Sequence, residues 1–552
     1  MNFRKSFLAI ILSLLTLASF AQEGIIRGSV IDESNGEIMI MVTVAVEGTT
    51  TGTFTDLDGK FNLPIAAGTY NLNVSFVGFE GLTLSNITVK EGEVTLLENI
   101  LLKPSTVSLE EVTVTAELQK RTENAIVALK MRSPSVIDGI SSASFKKMGD
   151  SDAASSMKRV TGVSVEGGKY VYVRGLGDRY TKTILNGVDI PGLDPDRNTM
   201  QLDIFPTNII DNIMVYKSFR ADMPADFTGG VVDISIKDFP SRKKGSVFIG
   251  SAYNPDYHFN SDFLTYKGGS TDFLGFDDGT RAIPATDNLP FFVEAISDPD
   301  GPEAQRYREV LDGFNPTMGA IRQRNLMDYN FGASFGNQVP LKKITIGYNI
   351  GLSYKASTDY YRNAEYGRYG LASDLDITEM EVREFQIGDY GSSSVLVSGL
   401  AGFAVKTTRS KFRLNMIHMQ NGSSKAGVFN YEGSDQGSVF SGIQHNLEYN
   451  QRALTNILLD GKHTFANAGL EIVWKFSPTL STISDPDARF VRYVVENDVY
   501  EINTEGGFPE RIWRDLTEKN LSGVLHITKK YKFGGKDAKL HFGGAYTYKE
   551  RD

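Results

Sequence analysis

One short pattern in the sequence could carry a nucleophile. GASFG, residues 332–336, matches the G-x-S-x-G pattern, in which the serine must stand on a turn between a strand and a helix. Ser334 instead lies in a run that alternates bulky and small residues, which predicts a strand. A dinucleotide fingerprint begins at Gly175 and Gly177, but Tyr180 occupies the place of its third glycine. We therefore expect neither a hydrolase nor a dinucleotide site.

Metal-binding chemistry has little support in the sequence. No two of the six histidines stand four positions apart, and none has a carboxylate motif nearby. The histidines are His258, His418, His445, His463, His526 and His541. DLDGK, residues 56–60, resembles the start of a calcium loop, yet the twelfth position holds Ala67 where a glutamate is needed. An Asp-Gly hairpin turn is the better interpretation of this stretch. The sequence predicts no metal and no cofactor.

Composition excludes further classes of function. The 552 residues include no cysteine, which rules out disulfides, thiolate metal sites and thiol nucleophiles. The formal net charge is −10 and no long basic run exists, so nucleic acid is not an expected partner. We expect a protein that is not an enzyme.

The first 21 residues have the pattern of a secretory signal peptide. Arg4 and Lys5 precede an apolar run over residues 7–17, and Ser19 and Ala21 supply the small residues of a cleavage site. A retained membrane anchor is the alternative, although a run of eleven is short for a spanning helix. No cysteine follows Ala21, so lipid anchoring is not indicated. Since no later segment is apolar for eighteen residues, membrane insertion would require a closed β-barrel.

The stretch KITIGYNIGLSYK, residues 343–355, has one apolar and one small or polar face. The alternation lasts longer than an ordinary half-buried strand and is long enough to cross a bilayer at a tilt. We expect its apolar face to contact lipid and its other face to contact a filled lumen. Candidates for the aromatic girdles at the membrane surfaces are Tyr348, Tyr354, Trp474 and Tyr548.

Similar alternation recurs through the second half of the chain. Nine strands are predicted, at residues 243–251, 325–336, 343–355, 395–406, 411–420, 452–464, 468–477, 518–530 and 538–549. The intervening connections alternate between short turns and long loops, the long ones at 252–324, 356–394, 421–451 and 478–517, as in outer-membrane barrels. Barrels of this kind have an even number of strands, 22 in plugged transporters, so we expect that this chain is a truncated product or a fragment.

The first half reads as two small domains joined by a strand. Short strands and tight turns over residues 22–104 predict a β-sandwich. SLEEVTVTAELQ, residues 108–119, is a strand with free edges, which could be a linker or a docking segment for another sheet. Residues 120–240 mix α and β, with a helix in GDSDAASSMKRVTGV that Asp150 or Ser151 would cap. Strands in KYVYVRG, TKTILNGV, IIDNIMVYKS and GGVVDISIKDF complete this domain.

Four strings resemble a known family. TFTDLDGKFNLPIAAGTYNLNVSFVGFE is similar to the carboxypeptidase-regulatory-like domain, a transthyretin-like sandwich. EEVTVTA resembles the TonB box, and VYVRGLGDRYTKTILNGVDIPG with LDIFPTNIIDNIMVYKSFRADMPADFTGGVVDISIKDFP resembles a plug domain. The chain is thus similar to TonB-dependent outer-membrane receptors of the Bacteroidetes type. It departs from them in an Asn-Gly-Val turn where Asp-Gly-Val is usual, and the SusC-type plug string for glycan uptake is not evident.

The resemblance implies a mainly β chain of five parts. These are a signal peptide (1–21), a carboxypeptidase-regulatory-like β-sandwich (22–104), the TonB box and linker (105–119), an α/β plug domain (120–240) and part of a transmembrane antiparallel β-barrel (241–552). It places the protein in the outer membrane of a Gram-negative bacterium. It implies a receptor and transporter that takes up a scarce extracellular ligand, such as an iron chelate or a glycan, with energy from the inner membrane.

The resemblance also assigns residues and partners. The TonB box comprises Glu111, Val112, Thr113, Val114, Thr115 and Ala116, and would pair with TonB by β-addition. The plug motif comprises Arg174, Gly175, Asn186, Gly187, Gly229 and Gly230. Candidate ligand-facing residues are Asp178, Arg179, Tyr180, Asp194, Asp196, Arg197, Arg220 and Asp222, whose three arginines would suit an anionic chelate or could form structural ion pairs. Membrane lipid is the second expected partner.

Two alternatives from other functional classes stay open on sequence grounds. A passive porin or adhesin would need no TonB box, so deletion of residues 111–116 would leave it active. A partner in protein secretion, or in a SusC/SusD-like complex with a surface lipoprotein, would bind another protein. The sequence does not identify the cargo.

Overall fold

We describe a computed structural model of the chain. It describes residues 24–552 except for 34–35, 50, 57, 105–114, 117–122, 134, 178, 195–196, 198–199, 241–242, 372–375, 377, 436–437, 497–498, 503–508 and 535. The predicted signal peptide and the first four residues of the TonB box therefore lie outside the described residues. Among the helices of the described segments, none has the length and apolar character needed to span a bilayer.

An amino-terminal β-sandwich fills residues 24–102. Its strands are β1 (Gly24–Asp32), β2 (Ile38–Met39), β3 (Thr43–Val46), β4 (Gly52–Phe54), β5 (Lys60–Ile65), β6 (Gly68–Ser75), β7 (Leu82–Val89) and β8 (Val94–Leu102). One sheet has β5, β1 and β2 in order, with β8 parallel to β1, and the other has the order β4-β3-β6-β7. Ile26, Val30, Val44, Phe61 and Leu72 are fully buried between the sheets. The alternation of buried and exposed residues in β3 is the pattern of a sandwich strand.

A short strand, β9 (Thr115–Ala116), links the sandwich to an α/β domain that we call the inner domain (residues 120–240). The elements of the inner domain are α1 (Glu123–Arg132), β10 (Ile137–Ser141), α2 (Ser142–Met148), α3 (Ala153–Met157), β11 (Val163–Glu166), β12 (Tyr170–Val173), β13 (Thr181–Leu185), β14 (Val188–Asp189), β15 (Ile210–Tyr216) and β16 (Gly230–Ile236). Five of its strands form one sheet in the order β10-β15-β16-β13-β14. The predicted strands of this region are present, each shorter than its sequence string.

The predicted helix cap in the inner domain is wrong by one or two residues. Asp152 is the N-cap of α3, because its carboxylate accepts a hydrogen bond from the Ser155 amide at 2.8 Å. Asp150 instead forms a bidentate ion pair with Arg159, with nitrogen–oxygen distances of 2.9 and 2.8 Å. Asp and Ser are both good capping residues, but the helix begins after Asp152 and not after either of the two predicted candidates.

The second half of the chain forms one large antiparallel sheet. Its strands are β17 (Lys244–Ala252), β20 (Asp328–Pro340), β21 (Thr345–Leu371), β22 (Met380–Lys406), β23 (Ser410–Asp435), β24 (Ser438–Phe465), β25 (Leu470–Glu496), β26 (Val499–Glu501), β27 (Glu510–Phe533) and β28 (Lys536–Arg551). All nine predicted strands are present, and β26 adds a short tenth strand that pairs with β25. Ser334 lies within β20 and its hydroxyl is 2.7 Å from that of Ser246, so the nucleophile elbow is excluded.

Three of the four long loops that the sequence predicted are mostly strand. Residues 356–371, 380–394, 421–435 and 438–451 belong to β21–β24, and most of 478–517 belongs to β25 and β27. The connection at 252–324 is long, as predicted. Strands of 26–28 residues are longer than the nine to eleven that cross a bilayer, so the large sheet continues far beyond a membrane.

The two faces of the large sheet differ as the alternation predicted. On β21, Gly347, Asn349 and Ser353 are buried, whereas Ile350 and Leu352 are 53% and 62% exposed. The buried face contacts the inner domain, for example through the Asn349 amide, which donates to the Lys237 carbonyl at 2.8 Å. Exposed apolar residues on neighbouring strands continue the outer face, among them Phe403, Phe412, Met416, Leu459, Phe476, Leu525 and Phe542. We call these residues, with Ile350 and Leu352, the apolar band.

Beyond the apolar band, a long insertion covers the outer face of the sheet. We call residues 253–327 the outer insertion; it contains β18 (Leu264–Thr265), α4 (Phe292–Ser297), α5 (Pro302–Gly313) and β19 (Ile321–Arg322). Gln420 and Gln451 lie on the face opposite to that of Asn421 and Arg452. The Gln420 side-chain amide donates to the Gly275 carbonyl at 2.6 Å. The Gln451 side-chain oxygen accepts from the Asp277 amide at 3.0 Å. The insertion thus packs on the outside of the strands.

Candidate functional site at the apex of the inner domain

The inner domain is held against the large sheet by polar contacts across a seam. The Lys355 ammonium on β21 is 2.9 Å from the Asp152 carboxylate. The Arg452 guanidinium on β24 contacts Asp203 at 2.8 Å and is itself almost fully buried. Burial alone would raise the pKa of Asp203, but Arg452, helped by Lys169, holds that pKa below its usual value. These ion pairs hold the inner domain at a defined position along the strands of the large sheet.

A cluster of four polar side chains stands on the inner domain between β12 and the segment that precedes Leu202. The Tyr170 hydroxyl donates to the Asp194 carboxylate, and the Gln201 amide donates to Tyr170 at 2.7 Å and to Asp194 at 3.3 Å. The Arg197 guanidinium lies 4.5 Å above the Tyr170 ring. Burial, followed by the Asp194 contact, raises the pKa of Tyr170 to about 12, so the phenol stays neutral. We call Tyr170, Asp194, Arg197 and Gln201 the apex cluster.

Cationic side chains approach the apex cluster from the wall of the sheet. Arg452, followed by burial and by Lys425, lowers the pKa of Lys169, while Asp203 and Asp194 act in the opposite direction. The Lys425 ammonium lies 4.4 Å from the centre of the Tyr390 ring. Three cations from two domains therefore share one enclosed region and repel one another. Such a region has a positive potential that favours an anion.

The structure divides the predicted ligand-facing residues into two groups. Asp194 and Arg197 belong to the apex cluster. Arg220 pairs instead with Asp222 at 2.6 Å, and its guanidinium lies over Tyr216 at the end of β15. Tyr180 is 47% exposed before β13, where its carbonyl accepts from the Gly229 amide, and Arg179 precedes it. Asp178 and Asp196 lie outside the described residues, so the role of the whole set stays a prediction.

Four of the six predicted plug-motif residues stand at tight backbone turns. Arg174 and Gly175 have φ of 57° and 73°, and the Arg174 amide donates to the Gly162 carbonyl. Asn186 and Gly187 form the two-residue turn between β13 and β14 with φ of 52° and 73°, which Asn-Gly adopts readily. The Asn186 amide oxygen also accepts from the Ile236 amide, so asparagine serves this turn where the family more often has aspartate.

The Gly229-Gly230 pair is required by close packing. A Cβ atom on Gly230 would stand 2.8 Å from Val173 Cγ1 and 2.9 Å from the Tyr216 carbonyl oxygen. A Cβ atom on Gly229 would stand 2.9 Å from Leu176 Cβ. These glycines let β16 approach the turn after β12. Their place in the motif has a structural cause that needs no ligand.

The described end of the predicted TonB box pairs with the sandwich. Thr115 faces Met39 and Ala116 faces Ile38 in an antiparallel pairing of β9 with β2. Glu111, Val112, Thr113 and Val114 lie outside the described residues. The described end of the strand thus joins the edge of a sheet in the same chain, and its pairing with TonB stays a prediction.

Sequence reasoning missed most of the candidate site. Lys169, Tyr170 and Gln201 of the inner domain, and Lys425 and Arg452 of the sheet, were not predicted. Asp203 and Arg452 are 249 positions apart, and no local pattern connects them. A usable signal exists on β23 and β24, where Lys425 and Arg452 interrupt inner faces of small or apolar residues.

Comparisons with known proteins identify the two amino-terminal domains. The CarboxypepD_reg-like domain matches residues 26–114, and the TonB-dependent Receptor Plug Domain matches residues 129–231. TonB-dependent receptor SusC of Bacteroides thetaiotaomicron is 37% identical over 100 residues, 18% of this chain and 9% of that protein. Human Carboxypeptidase D is 32% identical over 131 residues, 24% of this chain and 9% of that protein. The matched region thus spans less than a tenth of each relative.

Solved structures include outer-membrane receptors with low sequence identity. The ferripyoverdine receptor of Pseudomonas aeruginosa is 12% identical, with 82% of this chain and 57% of that chain covered and a TM-score of 0.32. The BauA ferric preacinetobactin receptor of Acinetobacter baumannii is 9% identical, with 76% and 61% covered and a TM-score of 0.26. The two matched domains stand in the order in which the sequence predicted them. The chain thus contains a carboxypeptidase-regulatory-like domain followed by a TonB-dependent receptor plug domain, and this pair supports the resemblance to TonB-dependent receptors of the Bacteroidetes type.

Proposed function

We propose that this protein is an active outer-membrane importer, in which the inner domain is a plug that moves when its preceding strand is pulled. The observation that carries the proposal is the position of the inner domain, which lies against the inner face of a sheet whose outer face carries the apolar band. The outer membrane maintains no ion gradient and holds no nucleotide supply, so the energy must arrive mechanically. Residues 111–116 would receive it by β-addition to TonB.

The polar seam suits a plug that must shift. Asp152–Lys355 and Asp203–Arg452 are discrete charge pairs, which can be exchanged for water one at a time. Removing one partner while the other stays buried is strongly unfavourable, so the resting plug is held firmly. Force on the strand before α1 would act on the domain that carries both aspartates.

We propose further that the cargo is anionic. Lys169, Lys425 and Arg452 interact beside the apex cluster, where Tyr170 adds a neutral hydroxyl. Arg197 lies over the Tyr170 ring and pairs with Glu166 at 3.5 Å. Guanidinium and ammonium groups pair with carboxylates and phosphates, which many iron chelates and acidic glycans carry. The range of ligands within this class stays wide, because no contact distinguishes a chelate from an acidic sugar.

A growth competition tests the importer and its cargo together. A strain that lacks the complete gene should lose to its parent on one nutrient among iron chelates, cobalamin, neutral and acidic glycans, and peptides. Deletion of residues 111–116 in the complete gene should reproduce that defect. Growth that is unaffected by this deletion, on a nutrient that does require the gene, would show a passive pore and refute the energy-driven mechanism.

The cationic region has its own test. Lys169→Gln in the complete protein should weaken binding of the anionic nutrient at least tenfold, and Lys158→Gln on an exposed position after α3 should not change it. Equal binding by both variants, or a requirement for a neutral nutrient, would contradict an anionic cargo.

A further inference from the structure

The DLDG turn of the sandwich is built into a buried charge cluster. One oxygen of Asp56 accepts from the backbone amides of Asp58 at 2.9 Å and Lys60 at 3.1 Å, which fixes the turn. Its other oxygen lies 2.6 Å from the Lys406 ammonium at the end of β22. Asp58 lies 3.4 Å from Lys406 and 3.2 Å from Lys411, at the start of β23. We call Asp56, Asp58, Lys406 and Lys411 the lock.

The lock joins three parts of the molecule. Lys411 also contacts Asp238 at 2.8 Å, and Asp238 follows the last strand of the inner domain. The Lys406 side chain is 2% exposed and that of Lys411 11%. Burial alone would raise the pKa of Asp58, but Lys411, Lys406 and Lys60 bring it well below its usual value. Asp58 is thus held as an anion inside an interface.

Two further contacts place the sandwich across the end of the large sheet where the short turns lie. The Arg27 guanidinium on β1 donates to the Gln338 carbonyl near the end of β20 at 3.3 Å, and both residues are buried. Glu37, just before β2, interacts electrostatically with Lys530 near the end of β27. The contacts on β20, at the β22–β23 turn and on β27 span most of the sheet. The sandwich therefore lies beneath the inner domain and does not hang from a linker.

We propose that the sandwich is a cap on the periplasmic mouth of the barrel and that the lock holds it there. Passage through the barrel is then closed twice, by the inner domain and by the cap. The two aspartates that resemble a calcium loop act as anions for two lysines of the barrel. The cap goes beyond the proposed function, since its docking requires neither a ligand nor TonB.

The absence of cysteine from these 552 residues gives a direct test in the receptor. Gln338→Cys would place a thiol where Gln338 is now 2% exposed, and Arg27 bonds the backbone carbonyl, so the contact survives the change. The probe is a charged maleimide, added to purified receptor in detergent without ligand. With the cap docked, labelling should be slow.

Two variants break the lock from opposite sides. Asp58→Asn removes a charge from the sandwich, and Lys406→Gln removes one from the sheet while it leaves the turn intact. We expect each to raise the labelling rate of Gln338→Cys at least tenfold. Glu91→Gln, an exposed charge elsewhere on the sandwich, is the matched control and should leave the rate unchanged.

The outcomes separate the cap from the importer. Equal labelling rates in the lock variants, the control and the parent would overturn the cap. Faster labelling in the lock variants supports it even if the growth competition finds no nutrient. A nutrient defect combined with unchanged labelling would support the importer and refute the cap.

Discussion

The two halves of each long strand obey different rules, and β21 displays both. Near its first turn, buried Asn349 and Ser353 alternate with exposed Ile350 and Leu352. Beyond residue 356 both faces carry charged and polar residues together with tyrosines, and much of the strand is exposed. Alternation is required where one face meets hydrocarbon, and it is not required where both faces meet water or protein. The alternation of apolar and polar residues therefore indicates which media the two faces contact. It does not indicate where the strand ends.

The outer face repeats this division with different chemistry. In the apolar band it is bare, whereas beyond the band it is covered by the outer insertion. Arg281 fixes that cover: it pairs with Asp272 and Asp277 at 2.7 Å each and lies 4.0 Å from the Tyr449 ring. Such a buried ionic anchor is compatible with a polar protein surface and not with lipid. The following changes should therefore act on one half and spare the other.

The largest effect is expected from Arg281→Ala. It leaves Asp272 and Asp277 without their buried cation, which should cost about 3–5 kcal/mol in the local stability of the outer insertion. Protease cleavage within residues 253–327 measures this, and it should accelerate while the rest of the sheet stays intact. Arg306→Ala, which removes an exposed pair with Glu309, is the control and should cost less than about 1 kcal/mol. Equal cleavage rates in the two variants would contradict the anchor.

Leu352→Arg tests the apolar band. An arginine on the lipid face near mid-depth should destabilise the folded protein in vesicles by about 2–4 kcal/mol. Tyr369→Arg, at a similarly exposed position on the far half of the same strand, should change the stability by less than about 0.5 kcal/mol. Urea unfolding followed by tryptophan fluorescence gives both values, and the reverse order would exclude lipid from the first half.

Gly347→Ala tests the inner face. The new Cβ would lie 2.3 Å from Phe239 Cγ in the inner domain, an overlap that should cost about 1–3 kcal/mol. Gly544→Ala adds the same atom where no other atom lies within 4 Å. The same unfolding assay compares them. If the two alanines cost the same, the packing of the inner domain against β21 is not as described.

The smallest effect is that of acid on the seam. The pKa of Asp203 is lowered in the folded protein, so its pairing with Arg452 contributes stability above the usual aspartate pKa, near 4, and loses it as pH falls through the lower folded value. Stability should stay constant from pH 7 to 5 on this account and begin to fall below about pH 4. In Asp203→Asn this part of the pH dependence should be absent, and an unchanged profile would argue against the pair.

The sequence predicted the strands well where one face of the sheet is buried and the other is exposed. The apolar face of 343–355 and the strand positions from 243 to 549 follow from alternation alone. The same reasoning predicted that β21 ends at residue 355, although the strand continues to Leu371. Beyond the apolar band the two faces do not meet different media, so no alternation of apolar and polar residues marks the strand. Strand length there depends on pairing with β22, which a local pattern does not report.

The candidate site was largely beyond local reasoning. Asp194 and Arg197 were predicted because they are charged residues in a loop. Their partner Tyr170 was predicted only as part of a strand. The lock shows the same limit. The turn predicted at DLDGK is present, but the predicted hairpin is wrong, because the turn joins β4 and β5 of different sheets. The pairing of this turn with Lys406 and Lys411 arises across some 350 residues.

The most direct test of the proposed membrane contact of the sheet compares two single cysteines introduced into these 552 residues, which contain no cysteine. Leu352→Cys and Tyr369→Cys replace residues that are 62% and 53% exposed on one strand. In intact outer membranes a charged maleimide should label Tyr369→Cys readily and leave Leu352→Cys unlabelled, because lipid covers the second position. Comparable labelling of both positions would show that water reaches the apolar band, and the membrane assignment would fail.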